Sequence, residues 1–308
     1  MQHFHTLDDI QLEKSWLTIG SFDGVHVGHQ QIIQDLVTRA HGNDHPAVVV
    51  TFHPHPQLVL RDEKRPYYLT LPDKRAELLG DLGVDIILTY PFSKDTTQIR
   101  AAEFVQLLHQ RLQFSRLWIG YDFALGKDRE GDPATLAYLG EQIGFIVKEI
   151  APYLVNGELV SSSRIRKSIR AGKIREAAIF LGRSFEITGK VIRGENRGKG
   201  LGFATSNLDV PQEIVDIKPG VYACLAVVEG EVWKAVTNIG FRPTFGDELV
   251  LPQIETHLLG FSRDLYGYEI DLRFIERLRD EMKFNQVSDL QFQVKADINR
   301  AEQILGNE

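Results

Sequence analysis

Two histidines three residues apart, His26 and His29, lie in the segment Gly20-Ser21-Phe22-Asp23-Gly24-Val25-His26-Val27-Gly28-His29. An apolar stretch, Trp16 to Ile19, precedes it, and a helical-looking one, Gln30 to Val37, follows. A strand, a Gly-rich turn and a helix in that order bring backbone N–H groups and the positive end of a helix to one point. Such a point binds phosphate. At this spacing both imidazoles can face the same phosphate. The chemistry this suggests is nucleotidyl transfer. Attack at the α-phosphate of a nucleoside triphosphate builds charge on non-bridging oxygens, and imidazole and amide N–H groups stabilise it. A metal site shared with His53 and His55 of Phe52-His53-Pro54-His55-Pro56 is one alternative. Purely structural histidines are another.

Four further segments carry candidate groups. Ser161-Ser162-Ser163-Arg164-Ile165-Arg166 precedes a helix. Its hydroxyls suit either a cap or a phosphate at that helix's N-terminus, and its arginines add charge-assisted donors. Gly120-Tyr121-Asp122-Phe123-Ala124-Leu125-Gly126, then Arg129 to Asp132, follows the apolar run ending at Ile119. As a loop at the carboxyl end of a strand, it is expected to line the same cleft. Gly194-Glu195-Asn196-Arg197-Gly198-Lys199-Gly200-Leu201-Gly202 resembles a phosphate loop, but matches neither the P-loop spacing nor the dinucleotide pattern. It reads as a Gly-rich lid or as a hairpin turn. Thr205 and Asn207, just beyond it, offer the hard oxygens that Mg²⁺ accepts beside substrate phosphates. Glu255 lies in the alternating run Gln253 to Leu258. On the inner face of a small barrel it would suit a general base; an outward-facing Glu is the plainer reading.

The elements that must hold these groups change character along the chain. In the first half, strands at Val48–Phe52, Val84–Thr89, Arg116–Ile119 and Phe145–Ile150 alternate with helices at Pro72–Leu82 and Ala101–Leu112. That order predicts a Rossmann-like α/β domain with a parallel sheet. From about Phe185, Gly and Pro separate strands at Ile187–Ile192, Gly220–Val228, Val232–Thr237, Pro252–Leu259 and Glu269–Leu278, and a helix follows at Asp289–Leu305. That order predicts a small antiparallel β-barrel with a terminal helix. The boundary is placed near Ser184, giving domains 1–184 and 185–308.

Composition narrows the classes. The chain has 308 residues and a net charge of −7, which argues against general nucleic-acid binding. Residues 161 to 199 nevertheless hold eleven Lys or Arg against three Glu, a local excess that suits a small polyphosphate. Cys224 is the only cysteine, so no intrachain disulfide forms. Met1 to Ile10 lacks an apolar signal core, and no apolar run is long enough to cross a bilayer. The expectation is a cytoplasmic enzyme with no membrane partner.

Taken together, these segments resemble the bacterial bifunctional riboflavin kinase/FAD synthetase family. Gly20–His29, Thr51–Pro56, Gly120–Gly126 with Arg129–Asp132, and Val160–Arg166 look like its nucleotidyltransferase blocks. Thr188–Gly194, Leu201–Asn207, Pro219–Tyr222, Asn238–Gly246, Glu255–His257, Asp264–Gly267 and Leu278–Glu281 look like its kinase blocks. The resemblance implies that the C-terminal domain phosphorylates riboflavin to FMN with ATP. The N-terminal domain would then adenylylate FMN to FAD, releasing pyrophosphate. It implies catalytic roles for His26, His29 and Glu255, and Mg²⁺ held at Thr205 and Asn207. Nucleotide contacts would come from Gly20, Phe22, Asp23, Gly28, Asp122, Ser162, Ser163 and Arg166, and from Gly194, Gly198 and Lys199 in the kinase. The chain departs from the family pattern at Ala204 and Ser206, where Pro and Ala are usual, at Lys199 for Arg, and at Ser163 for Thr. Two rival readings are a nucleotidyltransferase for another phosphorylated substrate and a non-enzymatic flavin-sensing protein.

Overall fold

The computed structural model describes residues 1–63, 65–193, 203, 205–241 and 252–306, which form two compact units. The first comprises Met1–Arg65 and Thr70–Ser162, the second Pro66–Leu69 and Ser163–Glu308. The division falls ahead of Ser184, so two helices that precede that residue belong to the second unit.

The first unit is built on strands β1 (Gln2–Phe4), β2 (Ser15–Ile19), β3 (Ala47–His53), β4 (Ile86–Pro91), β5 (Phe114–Gly120) and β6 (Ile146–Ile150). Their order is β1-β4-β3-β2-β5-β6, and every pairing is parallel. The central strands are apolar on both faces, as a sheet covered by helices requires. One face buries Leu17, Ile19, Val48, Val50, Leu88 and Leu117 with residues of α4 (Ala101–Leu112) and α5 (Pro133–Ile143). The other buries Val49 and Ile87 with Ile33 of α1 (Val27–His41) and Ala76 and Leu79 of α3 (Pro72–Asp81). The chain leaves β2 toward β3 on one side and later returns to its other side as β5. The carboxyl end of β2 is therefore a topological switch point, where sheets of this kind open a crevice. The segment Gly20–His29 starts at that end.

Strand β1 runs through a polar stretch near the start of the chain. It holds as an edge strand because Gln2, His3 and Phe4 pair with Ile86, Ile87 and Leu88. Between β3 and α3, His55 caps a short helix, α2 (Pro56–Arg61), by accepting the Gln57 N–H on Nδ1 at 3.1 Å. The His53-Pro54-His55-Pro56 run thus passes from the end of β3 into a helix. Strands β7 (Leu154–Val155) and β8 (Glu158–Leu159) form a small hairpin.

The second unit begins with α6 (Ser162–Arg170), whose first residue belongs to the first unit, and α7 (Ile174–Leu181). Six strands then close a barrel: β9 (Phe185–Ile192), β10 (Ser206–Asp209), β11 (Gly220–Val228), β12 (Glu231–Phe241), β13 (Pro252–Leu258) and β14 (Glu269–Arg279). Every pairing is antiparallel. The interior takes Tyr222, Cys224, Phe274 and Phe185, together with Thr237 and Thr256, whose hydroxyls bond each other at 2.9 Å. Helix α8 (Val287–Leu305) packs Ala301 and Leu305 on Val221, Ala223, Val236 and Leu278. Arg279 clamps buried Asp297 of α8 through Nε and Nη2, at 3.0 and 2.7 Å. Tyr67 and Tyr68 donate their N–H groups to Glu213 O at 2.7 and 2.8 Å, which ties the Pro66–Leu69 segment to this unit.

Candidate active sites

The turn after β2 is held from beneath. Gly20 N–H donates to Val50 O at 3.0 Å. The Ser21 carbonyl accepts from Thr51 Oγ1 at 2.9 Å and from Arg75 Nη1 at 2.6 Å. Asp23 is 1% exposed; its Oδ1 accepts the Thr70 N–H at 3.0 Å, and Thr70 Oγ1 in turn accepts the Gly24 N–H at 2.9 Å. Phe22, Gly24 and Val25 all have positive φ, at 45°, 83° and 39°. For the two non-glycine residues this is a strained conformation, which the bonds above maintain. Thr70, Thr51 and Arg75 are thus the supports of the turn. Thr51 lies in a block of the family resemblance, but nothing in its own context marks Thr70, and Arg75 sits in a helix where an exposed Arg is the ordinary expectation.

The turn delivers the two histidines. His26 is the N-cap of α1, and its Nδ1 accepts the His29 N–H at 3.2 Å. With Nδ1 accepting, the proton of the neutral ring sits on Nε2, which makes Nε2 a donor. The His29 ring stacks on the His26 ring with centroids 3.5 Å apart, and Phe22 meets His29 edge-on at 5.2 Å. A Cβ on Gly28 would lie 3.3 Å from the His26 ring, so glycine leaves that ring its space. A Cβ on Gly20 would come within 3.0 Å of the Phe22 ring. Among the described residues, the four histidines 26, 29, 53 and 55 do not form a metal-ligand group.

The other first-unit candidates frame the same strand ends. Asp122 is exposed, and its Oδ1 lies 3.7 Å from where a Cβ on Gly120 would be; Ile32 of α1 also borders that point, at 3.9 Å. Arg129 donates to the Asp122 carbonyl at 3.0 Å, Glu130 accepts from Arg100 and the Ala101 N–H, and Asp132 caps α5. These three therefore shape the loop. Ser162 Oγ donates its one proton to Asp23 O at 2.8 Å, which ties the start of α6 to the turn.

Ser163 and Arg166 follow on α6, in the second unit. Arg166 is only 4% exposed; its Nε donates to Tyr67 O at 2.8 Å and its guanidinium lies 3.7 Å from the centre of the Tyr67 ring. The ring holds the planar fork in one orientation.

On the barrel, Asn207 of β10 stands directly opposite Glu255 of β13, and Glu255 stands opposite Asn238 of β12. All three are half-buried, whereas Leu208, Ile254, Thr256 and Ile239 beside them are buried. The alternation puts the three polar side chains on the outer face. Glu255 therefore does not point into the barrel, because the Thr237–Thr256 pair occupies the interior at that level. Opposed residues on neighbouring strands bring their Cβ atoms within about 5 Å. A carboxylate, two amides and, two residues before Asn207, the exposed Thr205 thus gather on one patch. Asn238 was not singled out as a site residue from its own sequence context; only cross-strand register brings it here. A cavity of about 210 Å³, walled by Ile187, Leu208, Val210, Ile217 and Ile254, reaches Asn207 at its rim. Gly194, Gly198 and Lys199 lie outside the described residues.

Comparison with known proteins adds independent findings. A family model described as FAD synthetase matches residues 8–164, and one described as riboflavin kinase matches residues 181–305. The bifunctional riboflavin kinase/FMN adenylyltransferase of Escherichia coli (strain K12) is 32% identical over 304 residues, 98% of this chain and 96% of its own. Its namesake from Pseudomonas fluorescens is 36% identical, over 92% of this chain and 91% of its own. A solved structure described as a macrolide-efflux protein from Streptococcus pneumoniae has a TM-score of 0.89 and 26% identity, over 98% of both chains.

Proposed function

The chain belongs to the bifunctional riboflavin kinase/FMN adenylyltransferase family, and from that premise we propose which residues carry its two reactions. It is an enzyme that phosphorylates riboflavin to FMN and adenylylates FMN to FAD, with ATP as co-substrate in both.

Adenylyl transfer is assigned to residues 1–184. An FMN phosphate oxygen attacks the α-phosphorus of ATP, the bond to the β-phosphate oxygen breaks, and pyrophosphate leaves. His26 Nε2, His29 and the amides of Gly20 to Gly28 face the developing charge at the positive end of α1. Phe22 holds the edge of His29, and Asp122 borders the same strand ends. Asp23 and Ser162 act by holding the turn, because both are spent on bonds to it. Ser163 and Arg166 are assigned to the triphosphate by family likeness alone.

Phosphoryl transfer is assigned to residues 185–308. The riboflavin 5′-hydroxyl attacks the γ-phosphorus, its proton passes to the Glu255 carboxylate, and ADP leaves. The observation that carries this reading is the cross-strand row of Asn207, Glu255 and Asn238, in which a base adjoins oxygen donors on a patch that water and substrate can reach. Thr205 and Asn207 offer a hydroxyl and an amide oxygen, a hard donor set that fits Mg²⁺ better than a softer metal. When bound there, Mg²⁺ would neutralise phosphate charge. Gly194, Gly198 and Lys199 are assigned to the ATP phosphates by family likeness alone. Among the described residues no helix is long and apolar enough to cross a membrane, and a cytoplasmic location, where ATP is abundant, is part of this proposal.

The test is chromatography of flavins after incubation with riboflavin, ATP and Mg²⁺. His29→Ala should abolish FAD while FMN still accumulates. Glu255→Gln should abolish FMN formation yet convert supplied FMN to FAD. Equal loss of both products in either variant would refute independent sites, and unimpaired riboflavin phosphorylation in Glu255→Gln would remove Glu255 from its role.

A further inference from the structure

We propose that His3, His5 and Asp73 form a binding site for a divalent transition-metal ion, with Zn²⁺ the natural occupant of this ligand set. They come from two distant parts of the first unit: His3 from edge strand β1 with His5 just beyond it, and Asp73 from the first turn of α3. One ligand atom from each lies within 4.8 Å of the others. Among the described residues, this is the one such group of His, Cys, Asp or Glu.

Two observations favour an ion over an ordinary ion pair. His3 Nδ1 lies 3.8 Å from Asp73 Oδ1, too far for a hydrogen bond. Two atoms each about 2.1 Å from a shared Zn²⁺ are separated by roughly 3.4 Å at the tetrahedral angle, and by up to about 4.2 Å if it opens. The observed gap lies in that interval. His5 and Asp73 are exposed, so small side-chain rotations bring the remaining pairs to the same spacing. Next, the other ring nitrogen of His3, Nε2, bonds Thr89 Oγ1 on β4 at 2.9 Å. A fixed partner on the far nitrogen sets the orientation of a metal-binding imidazole and presents the near one as a ligand.

Two imidazoles and one carboxylate make a three-ligand set that leaves a fourth position for water. Nitrogen donors favour Zn²⁺, Ni²⁺ or Cu²⁺ over Mg²⁺, so the site is chemically separate from the Mg²⁺ chemistry of both reactions. Its placement gives it reach. Thr70, which holds Asp23 and Gly24 of the nucleotide turn, lies just before the helix turn that carries Asp73.

The test is calorimetric titration of Zn²⁺ into full-length, chelator-stripped protein without nucleotide, repeated with His5→Ala, Asp73→Ala and Thr89→Val. One Zn²⁺ per chain is expected, unaffected by excess Mg²⁺. His5→Ala and Asp73→Ala, both at exposed positions, should each weaken it by at least about tenfold. Thr89→Val, with all three ligands intact, should weaken it about 10- to 100-fold through the freed imidazole. Melting of His5→Ala and Asp73→Ala without metal should match that of the unsubstituted chain, which separates lost ligation from lost folding. Absence of Zn²⁺ binding, or binding of equal strength in His5→Ala and Asp73→Ala, would overturn the proposal.

Discussion

Replacing His26 with alanine removes two things at once, and the structure allows them to be separated. The first is a helix cap, the bond from His29 N–H to His26 Nδ1 at 3.2 Å. Losing a cap costs about 0.5–2 kcal/mol, and this bond is at the long end of the usual range, so about 1 kcal/mol is expected. For a unit of this size that lowers the melting temperature by about 2–4 °C. The second is the Nε2 donor, whose loss should slow FAD formation by about 10²–10³, or about 2.7–4 kcal/mol of transition-state stabilisation. Asparagine is among the best N-caps, but carries no imidazole. His26→Asn should therefore regain the melting temperature to within about 1 °C while FAD formation stays down by roughly a hundredfold or more. Differential scanning calorimetry and a discontinuous FAD assay from FMN and ATP read the two effects. Riboflavin phosphorylation in the same preparations should not change. If His26→Asn restored FAD formation to within roughly threefold of the unsubstituted chain, His26 would be a cap and not a phosphate donor, and the argument from its tautomer would fail.

Two other expectations concern buried or paired groups of the scaffold. Asp35 of α1 accepts from Trp118 Nε1, Lys148 Nζ and Arg39 Nε. Burial pushes its carboxyl up, but these three bonds outweigh it and leave the group at about 2. A depressed value means stability that is present above the ordinary carboxylate range and lost as pH falls toward 2. Because the site is partly open to water, about 1 kcal/mol is expected. Asp35→Asn should unfold at lower urea than the unsubstituted chain at pH 6, with the gap narrowing below pH 4; a gap independent of pH would show that the charge plays no part. In the barrel, Thr237→Val leaves the buried Thr256 hydroxyl without its bond to Thr237 and should cost about 1–3 kcal/mol, Thr256→Val should cost less because Thr237 keeps its bond to the Cys224 thiol, and the double variant should cost less than the sum. Strictly additive losses in urea unfolding would contradict this coupling.

Elements whose local pattern agrees with their surroundings were legible in the sequence. Helix α4 and strand β11 have the bounds that their apolar spacing indicates, because each has one clear buried set. Strand β10 was not legible. Ser206-Asn207-Leu208-Asp209 has a single apolar residue and is extended because β9 and β13 pair with it on either side. The nucleotide turn was legible as glycines, histidines and an aspartate in order. Its supports were not, since Thr70 and Arg75 reach it through folding alone. Glu255 illustrates the remaining gap. Its alternation with Ile254 and Thr256 was plain, but the face that forms the interior depended on a threonine pair whose hydroxyls satisfy each other. His3, His5 and Asp73 met through a strand too short and polar to be read.

The Pro66–Leu69 segment gives the protein an order of assembly. These residues emerge from the ribosome within the first unit, yet Tyr67 and Tyr68 bind Glu213 O in the second. At ordinary translation rates the tyrosines wait roughly ten to thirty seconds for that partner to be synthesised. Both rings are almost fully enclosed in the finished protein, so in the nascent chain they are an exposed aromatic pair. A chain released before Glu213 lacks the carbonyl that both tyrosine N–H groups bind, so the segment stays untied, which makes truncated products a natural target for chaperones and proteases.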